Sequence, residues 1–421
     1  MTSAGESGRP LAVFVAGPLH LFRTSGLYYV RELLRNYDVI VVGETSYAGN
    51  PIVDSVRQWQ GVREIAMLPL YHNKWRYHRV AARLARRIAA MRPALLLQHS
   101  DVFPHNLYFE RAVPADCRRG TFANGMTLDL EQDFRYIRAD KIAEIGRRVH
   151  IPPALARVLF FLRTKWNAFV RYTMFPIFFA RTTFEPRLDP ATGYLRKNAP
   201  KPSQFRLMYT ERERELHLKD FPTENVVLVR HPLCTVGEEV HAQLNFGMIE
   251  PGIALLPTWG FLTDLVSRYG RDEALRVMRT GWRDTLLALR HRLGNLPIRV
   301  KLHPAAANDP HSRDLMSDLA REIPGLTVLA PTASAEQLVI RSTCVVGDIS
   351  SILWWSSMLG DRIVVSLNAW NVTLGDEFSH YPAVVYVRTP AAILDAQLNP
   401  AHASSPDLPS VTDYLKACGG R

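Results

Sequence analysis

Nowhere in the 421-residue chain do about 18 apolar residues run uninterrupted, so the sequence offers no helix fit to cross a bilayer. Cysteine is scarce. Cys117, Cys234, Cys344 and Cys418 stand far apart with no metal-ligand or redox spacing, which predicts no metal site and fits a reducing cytoplasm. The N-terminal stretch MTSAGESGRPLAVFVAG has no basic n-region, and its short apolar run reads as a first strand rather than a signal peptide. Glycines do not form a dinucleotide fingerprint, since Gly17 and Gly26 in the segment around GPLHLFRTSG are wrongly spaced. No nucleic-acid recognition module is present, and no nucleic acid is expected as a partner. A soluble or membrane-peripheral protein in the cytoplasm, at the inner face of the cytoplasmic membrane, is the expectation.

Acidic residues are the minority, 40 against 51 Lys and Arg, which leaves a net charge of +11 and calls for an acidic partner. The excess is local. Residues 74–92, KWRYHRVAARLARRIAAMR, carry Arg76, Arg79, Arg83 and Arg87 on one helical stripe and Val80, Leu84, Ile88 and Met91 on another, without one acid. Residues 157–184 interleave aromatic and aliphatic side chains with Arg157, Arg163, Lys165, Arg171 and Arg181. Either segment could be an ordinary surface helix. Both also have the composition of helices that lie in the headgroup layer of an anionic membrane.

Short apolar runs alternate with helix-like segments throughout. LAVFVAG (11–17), DVIVVG (38–43), ALLLQH (94–99) and NVVLVRH (225–231) read as buried parallel strands in the first half. GIALLPT, IRVKLHP, LTVLAP, TCVVGD, RIVVSL and AVVYV repeat the pattern between 252 and 387. Two doubly wound, Rossmann-like α/β domains follow, 1–250 and 251–400, facing each other across a cleft. The first carries a basic, aromatic helical insertion at about 141–200, and 401–421 forms a tail.

Ligands of such sheets collect at the carboxyl ends of the strands. In the second domain this selects Thr258 and Trp259, Lys301 and His303 in VKLHP, and the turn Asp348 to Ser351 in VVGDISSILWWSSMLG. Ser350 and Ser351 stand where strand becomes helix, at the N-cap position, where unpaired N–H groups favour an anion. Lys301 is two residues before His303 and therefore on the same side of an extended chain.

Taken in order, LLPTW, KLHP and GDISSILWWSSMLGDRIVV resemble the C-terminal domain of the CDP-glycerol glycerophosphotransferase family. They are also similar to relatives of the same two-domain GT-B fold among capsule glycosyltransferases, including bacterial sialyl and Kdo transferases. The resemblance covers about residues 252–367. It implies that His303, Ser350 and Ser351 bind the phosphates of a CMP-, CDP- or UDP-linked donor, and Asp348 and Thr258 match positions of the same family; Lys301 joins them by strand alternation, and Trp259 by its place after the strand. No cofactor or metal is implied. The acceptor would be a glycan or a lipid-linked chain.

The first domain departs from the family. Its Trp-His-Gly element has no counterpart in TFANGMTLDLE, where Asn124 and Gly125 occur without a histidine, so the catalytic base is open. His20 and Asp101 are the candidates; Arg23 stands in the loop of His20, His99 and His105 stand beside Asp101, and Glu131 and Asp133 are acids of a later loop. The functions that follow are sugar transfer from a nucleotide donor, polyol-phosphate transfer, membrane-surface binding without catalysis, and sugar epimerisation.

Overall fold

The computed structural model describes residues 8–70, 74–99, 104–123, 142, 145–146, 149–163, 166, 203–257, 265, 268–303, 310–371 and 373–419. The chain divides into two compact units. The first comprises Met1–Val236 together with Pro406–Arg421, the second Gly237–Ser405. The division falls inside the helix Pro232–Gln243 rather than at Glu250 and Pro251. A helix has no composition break to mark such a division, whereas the start of a strand series does.

In the first unit the described strands are β1 (Leu11–Gly17), β2 (Asp38–Glu44), β3 (Val62–Leu68), β4 (Leu95–Gln98), β5 (Arg118–Phe122), β6 (Phe205–Met208) and β7 (Val226–Leu228), in the order β3-β2-β1-β4-β5-β6-β7. All neighbours are parallel. β1 and β2 are buried nearly end to end, which is why they read as continuous apolar runs. β3, β5 and β6 were not legible in that way. β3 places Arg63 against Asp38 and Glu64 against Arg87, and β5 opens with Arg118 and Arg119.

The basic helix Lys74–Ala90 packs on this sheet through Tyr77, His78, Ala81, Ala82, Ala85 and Ile88, all buried. Its inward face is thus turned from the expected Val80, Leu84, Ile88 and Met91 stripe, because the alanines let the helix sit close to the strands. Val80 and Leu84 are half-buried at its margin, and Met91 is exposed. Arg76, Arg79, Arg83, Arg86 and Arg87 cover the outer face.

The C-terminal helix Val411–Gly419 belongs to this unit as well. The buried Glu32 carboxylate accepts from the Thr412 N–H and the Thr235 hydroxyl, at 3.1 and 2.7 Å. Arg118 donates to the Leu415 carbonyl at 2.8 Å, and its guanidinium lies over the rings of Phe205 and Tyr414.

The second unit has the described strands β8 (Glu250–Leu256), β9 (Ile298–Val300), β10 (Leu326–Val328), β11 (Ser342–Gly347), β12 (Ile363–Leu367) and β13 (Val385–Val387), ordered β10-β9-β8-β11-β12-β13 and parallel throughout. The helix Arg271–Leu293 joins β8 to β9 and buries Ala274, Met278, Trp282, Leu286 and Leu289. Gly281 on that helix admits Trp370, whose indole would meet a Cβ there at 3.3 Å.

Candidate functional site

Counting strands within the second unit, the order is 3-2-1-4-5-6. The chain reverses its direction of travel between β8 and β11, and in open parallel sheets the crevice outside the carboxyl ends at such a reversal is where ligands bind. Gly347, the last residue of β11, is what lets the two strand ends close up: a Cβ there would lie 2.8 Å from the Leu256 carbonyl oxygen. Three sequence-selected segments follow the three adjacent strands at this point. Thr258 and Trp259 come after β8, Lys301 and His303 after β9, and Asp348 to Ser351 after β11.

Their described side chains take different postures. Asp348 is fully buried. Ser350 adopts extended φ and ψ and is the N-cap of the helix Ser351–Ser357; its Oγ accepts from the Ile352 N–H at 3.3 Å. Ser351 is exposed, as is His303. Lys301 is buried, and its ammonium donates to the Leu302 carbonyl at 2.9 Å, so its charge is engaged at its own strand end. The helix is only seven residues long and its own dipole is small. Thr258 and Trp259 lie outside the described residues.

The first sheet has the same reversal, between β1 and β4. Gly17 ends β1 with φ +70°, and the imidazole of His99, just past β4, occupies the space a Cβ would take. Tyr47 donates to the Gly17 carbonyl at 2.8 Å. His99 Nδ1 lies 3.3 Å from the Val15 carbonyl oxygen, and its ring stacks on His105 at 6.0 Å between centroids. Burial, and then the neighbouring His99, hold His105 well below the usual imidazole range; its Nδ1 makes a short hydrogen bond with the Tyr77 hydroxyl. The backbone approach that Gly17 offers is thus taken by a side chain of the same unit. The Gly17 and His99 partnership was missed in the sequence, although a glycine and a histidine ending two strands that become neighbours is a signal that could have found it.

Farther along this edge, the Tyr29 and Tyr209 hydroxyls meet at 2.7 Å, and Tyr209 donates to the Ala123 carbonyl at 2.7 Å. His231 stands edge-on to Tyr209 and accepts the Leu233 N–H at 3.0 Å; burial pulls its pKa down to about 3. His20 is exposed on the turn after β1, where the Thr24 hydroxyl donates to its carbonyl, and a π-helical turn, Phe22–Gly26, follows with Arg23 half-buried on it. Asp101, Asn124, Gly125, Glu131 and Asp133 lie outside the described residues. Among the described residues no group of three or more His, Cys, Asp or Glu is placed to hold a metal ion, and no helix is long and apolar enough to cross a membrane.

No family model matches the chain, and no curated protein matches it by sequence. Solved structures do match in shape. The UDP-GlcNAc 2-epimerase of Methanocaldococcus jannaschii aligns over 97% of this chain and 98% of its own, with 9% identity and a TM-score of 0.53. A UDP-GlcNAc 2-epimerase from Neisseria meningitidis, bound to UDP-GlcNAc, aligns over 97% and 99% with 11% identity and a TM-score of 0.51. The chain is, in fold, a protein of two Rossmann-like α/β domains of the GT-B type.

Proposed function

We propose that this chain is a glycosyltransferase that moves a sugar from a CMP-, CDP- or UDP-linked donor to a hydroxyl of a glycan or lipid-linked acceptor. Its place would be capsule or other envelope polysaccharide assembly at the inner face of the cytoplasmic membrane. The supporting observation is that the segment bearing His303 follows β9 and the segment bearing Ser350 and Ser351 follows β11, the two strands on either side of β8 at the reversal of the second sheet. As the sugar bond breaks, the nucleotide leaving group gains negative charge, and fixed hydroxyl, imidazole and backbone N–H donors stabilise it. This reading requires no metal or cofactor. Lys301 adds positive charge from below, while Thr258, Trp259 and Asp348 shape the rim and floor. The acceptor hydroxyl needs a base within hydrogen-bond reach, for which His20 and Asp101 are the candidates.

Nucleotide-sugar binding is in keeping with the fold's occurrence in a protein bound to UDP-GlcNAc. The same likeness favours a second reading, epimerisation of a nucleotide sugar, which differs in needing no acceptor. Polyol-phosphate transfer is less favoured, since TFANGMTLDLE has no histidine.

The test is a thermal-shift series with CMP, CDP, UMP, UDP and GDP at millimolar concentration, on the wild type, Ser350→Ala and His303→Ala. One cytidine or uridine nucleotide should stabilise the wild type, by about 2.7 kcal/mol when present at a hundred times its Kd, and both variants should lose that gain. A flat response to every nucleotide, or variants that respond like the wild type, would refute the site. Consumption of a nucleotide sugar without any acceptor would select the epimerase reading.

A further inference from the structure

The helix at residues 153–163 in the first unit exposes almost everything it carries. Leu155, Val158, Leu159 and Leu162 are between 41% and 56% accessible, and their i, i+3, i+4, i+7 spacing sets them on one face. Ala156, on another side, is fully buried. Single exposed leucines need no explanation, but a whole helical face of them does. Water is a poor partner for such a face.

Charge decides what should cover it. From residue 145 to residue 184 the sequence contains Arg147, Arg148, Arg157, Arg163, Lys165, Arg171 and Arg181, and not one Asp or Glu. Arg157 and Arg163 are exposed on the helix itself. A second copy of the chain would bring the same cations against one another. A nucleic acid would answer the charge and leave the leucines in water. A bilayer containing anionic lipid answers both, by taking the aliphatic face below the headgroups and the guanidinium groups among the phosphates.

We propose that the helix at 153–163 docks the protein on an anionic bilayer, with Leu155, Val158, Leu159 and Leu162 inserted and Arg157 and Arg163 at headgroup level. The basic helix Lys74–Ala90 does not insert in this arrangement, because its apolar face is already spent on the first sheet. The docking goes beyond the donor site and does not depend on it.

The full chain would be sedimented with vesicles of phosphatidylcholine alone and of phosphatidylcholine with phosphatidylglycerol. Binding should require the anionic lipid. L159S/L162S should weaken it at least about tenfold, and R157Q/R163Q should weaken it by a similar factor while making it less sensitive to salt. Circular dichroism and the melting temperature should be unchanged in both variants, since all four side chains are exposed. Absence of binding, binding equal on neutral and anionic vesicles, or L159S/L162S binding as the wild type does would each overturn the proposal. So would sedimentation velocity showing an oligomer that L159S/L162S converts to monomer, because a second copy would then cover the face. A nucleotide response that survives any of these results leaves the donor site standing by itself.

Discussion

The two sheets share a strand order through six strands, yet their carboxyl edges are furnished in opposite ways. In the second unit the segments past β9 and β11 leave His303 and Ser351 exposed, while Lys301 and Asp348 are buried. In the first unit the described edge is filled. His99 lies on Gly17, Tyr47 holds the Gly17 carbonyl, and Tyr29, Tyr209 and His231 pack together beyond β5 and β6. The same backbone rule that collects ligands at one edge has collected side chains at the other. Mutations should therefore cost stability at the first edge and ligand binding at the second.

The largest effect should come from Gly17→Ala. A non-glycine residue at φ +70° costs about 1–2 kcal/mol, and a Cβ driven into the His99 ring adds overpacking of about 1–3 kcal/mol. A loss of about 3 kcal/mol in a denaturant titration is expected. Adding His99→Ala should relieve the clash and leave the dihedral strain, so the double variant should be more stable than the sum of the single losses predicts. Simple additivity would mean that His99 is free to swing away, and that the edge is open after all.

This pairing also marks how far the sequence could be read. Continuous apolar strands such as LAVFVAG and DVIVVG were legible because parallel strands buried on both faces have no polar side to interrupt them. The serine cap was legible because Ser350 reports its role in one turn of backbone. β3 and β5 were not, since their charged residues are satisfied by partners distant in sequence: Arg63 by Asp38, Glu64 by Arg87 and Arg118 by Leu415; β6 is only four residues long, with Arg206 interrupting its apolar run. The return of Pro406–Arg421 to the first unit is tied by Glu32, Arg118 and Arg230, single residues in segments that read as an ordinary helix and strands. Lys301 read as a phosphate ligand from alternation alone, but alternation cannot show that its ammonium turns to the adjoining carbonyl.

A second way to sharpen the contrast is acid. His231 is held neutral by burial, with its pKa lowered to about 3, whereas an unfolded histidine titrates near 6.5. The unfolded chain thus binds the extra proton first. The group's contribution to stability is intact above about pH 6.5 and falls with pH down to about 3, by about 2 kcal/mol at pH 5. His231→Gln should remove one proton's share of the slope of stability against pH between 6.5 and 5. Part of the slope should remain, because His105 in the first unit and His241 in the second, the latter lowered to about 4, are displaced in the same direction by burial. An unchanged slope would mean that His231 is solvated, and that the aromatic plug does not seal this part of the edge.

The smallest effect should be the most informative. Ser350→Ala removes one side-chain cap, accepting at 3.3 Å from Ile352, on a helix of seven residues. The expected loss without nucleotide is about 1 kcal/mol or less, well below that of Gly17→Ala. The exposed Ser351 should tolerate alanine with no measurable loss of stability. If Ser350→Ala instead costs several kcal/mol in denaturant titrations, the serine turn is a structural clasp like the one around Gly17. The two edges would then differ in exposure alone, and the second would lose its claim to be the one kept open for a ligand.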